Sequence, residues 1–248
     1  MRTIGTAGWG LPAAVRSQFP ESGTHLSRYA QRFMGVEINS TFYRRHRRST
    51  FTSWASQVPD DFRFAVKMPR LITHELALRS AARPIDEFAS DIQGLAQRLG
   101  PVLMQLPPGL AYDGTLVKRF LRVVRERFSG AVVCEPRHPS WHSPAATVAL
   151  TEWRIGRVAA HPPRLAPLEE PGGWLGPMGD GSGATIYYRL HGYPRTYWSN
   201  YDEAALAEWG HRMAQWPARA DVWCIFDNTA AGAATANALA LQRLVPRT

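Results

Sequence analysis

Four side chains able to move protons or hold anions sit at alternate positions of apolar runs: Glu37 in VEINSTFY, Lys67 in FRFAVKMP, Glu135 in CEPRHPSW and His191 in YYRLHG. Glu37 or Glu135 would serve as general base or acid, and His191 as the second proton-transfer group. Lys67 would hold an anion and stabilise developing charge. Arg137 lies two residues after Glu135 and Arg189 two before His191, which puts each pair on one face of a strand. The fixed fork of a guanidinium suits a bidentate carboxylate or phosphate. Asn39, Gln105 and Asn228 are placed to orient a substrate by hydrogen bonds.

Such residues converge only if strands carry them to one place. Strand-like runs are expected at Thr3–Trp9, Gly35–Thr41, Arg63–Met68, Pro101–Leu106, Ala131–Arg137, Arg154–Ala160, Thr185–Gly192 and Asp221–Asn228. Helical periodicity falls between them at His25–Phe33, Phe51–Gln57, Ile85–Leu99, Leu116–Phe128, Ala145–Trp153, Glu203–Trp216 and Ala233–Leu244. Asp113 and Asp202 are placed as N-caps. This alternation predicts an α/β fold, a (β/α)8 TIM barrel formed as a single domain over residues 1–248. An open doubly wound sheet is the rival, but GTAGWG is not the Gly-rich phosphate loop that such a sheet carries after its first strand. The Pro- and Gly-rich stretch from His161 to Ala184 replaces a regular sixth helix, either as a lid or as a surface meander.

In a barrel both strand faces are buried, so alternating polar residues do not simply face water. Val36, Ile38, Phe64, Val66, Val132, Cys134, Ile186, Tyr188 and Leu190 then pack against helices. Glu37, Asn39, Lys67, Gln105, Glu135, Arg137, Tyr187, Arg189 and His191 point inward, towards the strand ends where barrel enzymes build their sites. A closed ionic plug of the same residues is the bland alternative. Against it, Lys67, Arg137 and Arg189 outnumber Glu37 and Glu135, and an anionic ligand would neutralise the surplus. No cofactor is called for. A divalent metal on Glu37, Glu135, His161, His191 and Asp227 is the lesser alternative, because no clustered histidine spacing supports it and three cations would repel it. No G-x-S-x-G elbow is present.

The net charge of +9 favours an anionic small molecule or a phosphate-containing ligand as partner, although 27 of the 29 basic residues are arginine in a composition that looks GC-driven. Two loops offer a nucleic-acid alternative. One is Tyr43 with Arg44–Arg48, and the other is GYPRTYWSNY, which contains Tyr193, Arg195, Tyr197, Trp198 and Tyr201. Cys134 and Cys224 read as buried, reduced thiols, and the N-terminus lacks an apolar signal core, so a cytoplasmic location is expected. No apolar run reaches the roughly eighteen residues of a membrane span.

GTAGW, VEINSTFY, FRFAVKMP, LMQLPP, CEPRHPSW, YYRLHG and FDNTAAGAATANA occur in the order typical of the domain of unknown function 72 family, which the chain resembles from about Ile4 to Leu244. The resemblance implies a TIM barrel and supplies no function. By position it marks Glu37, Asn39, Tyr43, Lys67, Gln105, Glu135, Arg137, Trp141, Arg189, His191 and Asn228 as the family's polar motif residues. Asp227 stands where relatives often carry Asn, and His161 where an acidic residue is common. The leading expectation is an enzyme of hydrolase or lyase type acting on an anionic or phosphorylated substrate. Its rivals are a nuclease-like, nucleic-acid-binding barrel and a non-catalytic metabolite-binding protein.

Overall fold

The computed structural model describes residues 1–163 and 170–245. Strands and helices alternate through β1 (Arg2–Thr6), α1 (His25–Ala30), β2 (Gly35–Ile38), α2 (Arg48–Ala55), β3 (Arg63–Lys67) and α3 (Ala82–Ile92). They continue as β4 (Leu99–Gln105), α4 (Gly114–Arg127), β5 (Val132–Glu135), α5 (Pro144–Glu152), β6 (Gly156–Arg157) and β7 (Ala159–His161). The chain then forms β8 (Gly172–Gly173), β9 (Thr185–Leu190), α6 (Glu203–Ala214), β10 (Asp221–Phe226) and α7 (Ala233–Leu244). No helix among the described residues is long and apolar enough to cross a membrane.

The helix starts follow local chemistry. Asp113 accepts from the backbone N–H groups of Thr115 (3.0 Å) and Leu116 (3.1 Å), and Asp202 accepts from Ala205 (2.8 Å), satisfying donors a helix leaves open at its first turn. One expected helix is cut short. The run predicted as Ile85–Leu99 is regular only to Ile92 and then tightens into a 3-10 segment, Gln93–Arg98. Gly94 sits so close to α2 that a Cβ there would lie 2.3 Å from the Arg48 carbonyl oxygen, and this close contact takes the place of a further α-helical turn.

The strands pair as two parallel-dominated sheets in the orders β1-β10-β9-β7 and β2-β3-β4-β5-β6-β8, with only β8 antiparallel to its neighbour. Val158 alone separates β6 from β7, and its N–H donates to Cys134 O at 2.8 Å. At the other junction Ala7 bridges Glu37 in parallel, and Gly8 N–H donates to Glu37 O at 2.8 Å. The expected sorting of faces holds: Val36, Ile38, Phe64, Val66, Ile186, Tyr188 and Leu190 join the large core beneath the helices. The opposite faces supply a smaller cluster of Ala65, Leu103, Val133, Val158, Tyr187, Trp223 and Ile225.

Between His161 and Thr185 the described residues contain no helix, only β8 and turns. The lid or meander expected over residues 161–184 falls partly on 164–169, outside the described residues. Cys134 and Cys224 are free and buried, and burial pushes both thiols up.

Candidate active site

Above the small apolar cluster, the strand ends deliver a polar layer. Register sets Gln105 beside Glu135 and Lys67 beside Leu103, so alternate residues of neighbouring strands rise on the same face. Arg189, fully buried, is its centre. Its Nε and Nη2 donate to Glu37 at 3.0 and 2.7 Å, Nη1 donates to Glu135 at 2.6 Å, and Nη2 also donates to Asp227 at 2.9 Å. The Tyr187 hydroxyl donates to Glu37 at 3.0 Å; burial, then the Glu37 charge, raises that phenol well above its ordinary value and keeps it a donor.

Glu135 is the most heavily bonded carboxylate. Gln105 Nε2 donates to both its oxygens at 3.0 Å, and Arg137 Nε donates at 3.0 Å in addition to Arg189. Burial would raise its carboxyl, but Arg189, Arg137 and His191 outweigh burial and hold it well below the usual carboxylate range. His191 bonds Asp227 through Nδ1 at 3.1 Å. Its Nε2 lies 3.5 Å from Glu135 Oε1, buried and without a hydrogen bond. Burial would depress this imidazole, yet the hydrogen bond to Asp227 and the adjacent Glu135 carboxylate raise it above the ordinary histidine value. An ionised carboxylate and a readily protonated imidazole thus face one another, a pairing suited to proton transfer.

Lys67 is placed differently. Its side chain is 4% exposed, and among the described residues no carboxylate lies within ion-pairing distance of its ammonium. Nζ stands 4.0 Å above the Phe42 ring instead. Burial, then the Arg189 charge, lowers it to about 8, against the upward pull of Glu37, Glu135 and Asp227. His74 packs edge-on against the same Phe42 ring at 4.9 Å, with Nδ1 2.8 Å from the Thr73 hydroxyl. Burial, Lys67, Arg70 and Arg137 depress His74 to about 4, so it is neutral at physiological pH. A cleft of about 230 Å³ opens beside the layer, walled by Glu135, Arg137, His191, Pro162 and Tyr197. Tyr197 packs edge-on over His191 at 5.5 Å, and its hydroxyl accepts from Arg137 Nη2 at 3.4 Å.

A family model described as "Protein of unknown function DUF72" matches residues 3–248. The chain belongs to the DUF72 family. UPF0759 protein YecE of Escherichia coli K12 is 38% identical over 104 residues, 42% of this chain and 37% of that protein, so this match spans little more than a third of the relative. UPF0759 protein YunF of Bacillus subtilis is 24% identical across 94% of this chain and 91% of its own length. Among solved structures, a DUF72 family protein of Enterococcus faecalis V583 superposes with a TM-score of 0.80 at 20% identity, over 100% of this chain and 96% of that one. One from Thermotoga maritima MSB8 gives 0.78 at 24% identity over 98% of each chain. At these identities the two structures speak to the fold alone.

Within this DUF72 chain, the polar layer gathers Glu37, Lys67, Gln105, Glu135, Arg137, Arg189 and His191 from the residues expected for the site. Asn39, next in line after β2, has a buried Oδ1 with no hydrogen-bond partner. Four others stand apart. Trp141 is buried with its indole N–H donating to Leu110 O at 2.9 Å, so it braces the loop after β5. The Tyr201 hydroxyl accepts from Gly192 N–H at 3.0 Å and lies 2.8 Å from His161 Nδ1, which anchors the loop after β9. Asn228 donates to Ser199 O and Asn237 Oδ1, both at 2.9 Å, and secures the same loop. Tyr43 is 75% exposed and lines a separate cleft of about 360 Å³ between the loops after β2 and β3 and helix α3. In that cleft Arg45 is already paired with Glu87 (2.8 Å) and Asp91 (2.6 Å).

Asp227 was weighed only as a metal ligand, and His74 was missed as a site residue. Asp227 shares the face of Trp223 and Ile225, and its arrival changes the charge count: the layer holds three carboxylates, and the cation surplus read from Glu37 and Glu135 alone disappears. His74 lies seven residues after Lys67 in KMPRLITHE, where no strand or helix period marks it. Among the described residues no group of three His, Cys, Asp or Glu side chains is arranged to hold a metal ion.

Proposed function

We propose that the two sheets close into one (β/α)8 barrel spanning the chain, and that the protein is an enzyme acting on an anionic, phosphorylated substrate at the C-terminal strand ends. Closure is supported by Val158, which links β6 to β7, and by the Ala7–Glu37 bridge between the ends of β1 and β2. It is supported too by Gly5, where a Cβ would lie 2.3 Å from Gly35 O, so only glycine lets those strands approach. Arg189 fixes Glu37, Glu135 and Asp227. Arg137 and Lys67 receive the anion, Glu135 acts as base, and His191 acts as acid. Asn39, with an unused buried oxygen, orients the substrate. Hydrolysis and proton abstraction both fit this set.

The observation that carries the reading is Lys67: a buried cation left without a counter-ion in a layer where every carboxylate is bonded to arginine. Burial of an unpaired charge is costly, and an incoming anion relieves that cost. Calorimetric titration with inorganic phosphate at low salt tests it. Binding that weakens about 10-fold or more in both Lys67→Met and Arg137→Met is the expected result, each variant losing one charge-assisted contact. No binding, or equal binding by the variants, returns the layer to an ionic plug.

A second reading, a nucleic-acid-binding surface, is favoured by the loop after β9, where Tyr193 and Trp198 are 60% and 45% exposed and Arg195 stacks on Trp198 at 4.3 Å. Oligonucleotide binding that falls steeply with salt supports it, and absence of binding at low salt removes it.

A further inference from the structure

We propose that Lys67 is a covalent catalytic residue whose side-chain amine forms an imine with a carbonyl substrate bearing a carboxylate or phosphate group. The proposal rests on the reading of the strand ends as an anion site and narrows its substrate class. Three features of the layer lead to it. Lys67 is buried, yet it is the one cation of the layer that makes no ion pair among the described residues; Arg189 and Arg137 hold the carboxylates. Its ammonium lies over the Phe42 ring at 4.0 Å, which neither accepts its proton nor blocks its lone pair once the proton has left. In a chain with 27 arginines and two lysines, lysine also stands at the one position of the layer where a guanidinium would be unable to react. Arginine holds an anion as well as lysine does, but it does not lose its proton to become a nucleophile. The amine's lowering to about 8 agrees with this role, because it leaves an appreciable free-amine fraction near neutrality.

The surrounding groups supply the rest of the step. Arg137, on the wall of the 230 Å³ cleft, takes the anionic group; Lys67 lies outside that wall, so the carbonyl end of the substrate has to extend from the cleft to its amine. The amine lone pair forms the C–N bond while the carbonyl π pair moves to oxygen. That oxygen takes up a proton and the nitrogen loses one, giving a carbinolamine. The His191 imidazolium then protonates the hydroxyl, the C–O bond breaks, and water leaves as the protonated imine forms. The iminium nitrogen accepts the electron pair released when a base such as Glu135 removes the neighbouring C–H proton, or when an adjacent C–C bond breaks. Water later reverses the addition and frees Lys67. No oxidant or reductant is consumed.

Reductive trapping tests this on the intact chain. Formaldehyde, pyruvate and dihydroxyacetone phosphate are each incubated with the protein and cyanoborohydride at pH 7, and adducts are mapped by peptide mass. Lys118, with a 59% exposed side chain paired to Glu152 at 3.8 Å, is the internal control. The expected result is modification of Lys67 faster than Lys118 by at least about 10-fold with pyruvate or dihydroxyacetone phosphate, in the direction set by the larger free-amine fraction at Lys67. The adduct disappears in Lys67→Arg, and inorganic phosphate suppresses it. Trapping by only one of the two anionic compounds tells a carboxylate substrate from a phosphate one. Lys67 labelled by neither, or no faster than Lys118, overturns the imine. If phosphate still binds in the calorimeter in that case, the anion-site reading stands without it. If formaldehyde labels Lys67 rapidly but phosphate neither binds nor protects, the anion reading fails, and with it the substrate class proposed here.

Discussion

On one side of the polar layer, Arg189 gives hydrogen bonds to Glu37, Glu135 and Asp227, all between 2.6 and 3.0 Å, and each of its guanidinium nitrogens has a partner. On the β3 side, Lys67 is also buried but rests on an aromatic ring with no carboxylate in ion-pair reach. Both are buried cations within one layer, and the same carboxylates influence both. Under the anion-site reading, the difference separates scaffold from working group. A fully bonded arginine holds carboxylates in fixed positions at little net gain or loss, whereas an unpaired buried lysine costs stability unless a ligand or a proton loss relieves it. Residues kept at a cost to the fold mark sites of function better than residues that complete it.

The comparison breaks most visibly at Arg189. Arg189→Met strands three buried carboxylates, and the expected loss is about 3–5 kcal/mol, read by urea denaturation. A loss under about 1 kcal/mol would mean that the network is not the anchor. Lys67→Met moves the other way. Its folded value of about 8 lies below the unfolded one, so between them the folded chain binds fewer protons and stability rises with pH. Below pH 8 the buried ammonium therefore costs stability, and the methionine variant is expected to be more stable at pH 7 by up to about 3 kcal/mol. That gain shrinks as pH climbs from about 8 towards the unfolded lysine value and is gone above it. Denaturation curves at several pH values check both the sign and the window. A destabilised Lys67→Met at pH 7 would place Lys67 with the scaffold.

Much of this layer was readable in advance because Val36, Ile38, Phe64, Val66, Ile186, Tyr188 and Leu190 alternate strictly with the residues that face inward, and period two leaves a strand with one consistent sorting. Asp113 and Asp202 were legible as caps for the same local reason: a helix start needs an acceptor within three residues. Asp227 was hidden because β10 fills the inward face with Trp223 and Ile225, as apolar as the outward Val222 and Cys224, so composition does not tell the faces apart. Trp141 and Tyr201 misled for a related reason. An aromatic with a polar tip serves equally well in a core or on a ligand, and only its partner, Leu110 O for one and Gly192 N–H for the other, decides. His74 sits on a turn, and its closeness to Lys67 is a property of the folded chain. The break after Ile92 depends on how closely α2 approaches Gly94, which no local pattern carries.

Asp227→Asn sharpens the scaffold side. It removes a charged acceptor from both Arg189 and His191, at an expected cost of about 1.5 kcal/mol. His191 titrates above its ordinary value in the wild type. A raised folded value means that its stabilisation is full below the unfolded histidine value and is lost as pH rises through the folded one. The stability gap between wild type and variant should accordingly be widest at about pH 5–6 and narrow in alkali. NMR titration of the His191 ring should show a lower value in the variant. An unmoved His191 would assign its shift to Glu135.

The smallest effect is expected at Arg45, which copies the Arg189 arrangement in water. It reaches Glu87 at 2.8 Å and Asp91 at 2.6 Å, yet its side chain is 61% exposed. Solvent screens these pairs, and two long side chains lose freedom in making them, so Arg45→Ala should cost less than about 1 kcal/mol and less still in high salt. Both arginines bind more than one carboxylate at similar distances, so contact geometry alone would predict similar losses. If Arg45→Ala and Arg189→Met cost the same, the carboxylates around Arg189 are better hydrated than their burial implies, and the contrast with Lys67 loses its basis. If the two differ by the expected several-fold, burial is what turns one arginine into an anchor and leaves the other as a rim contact.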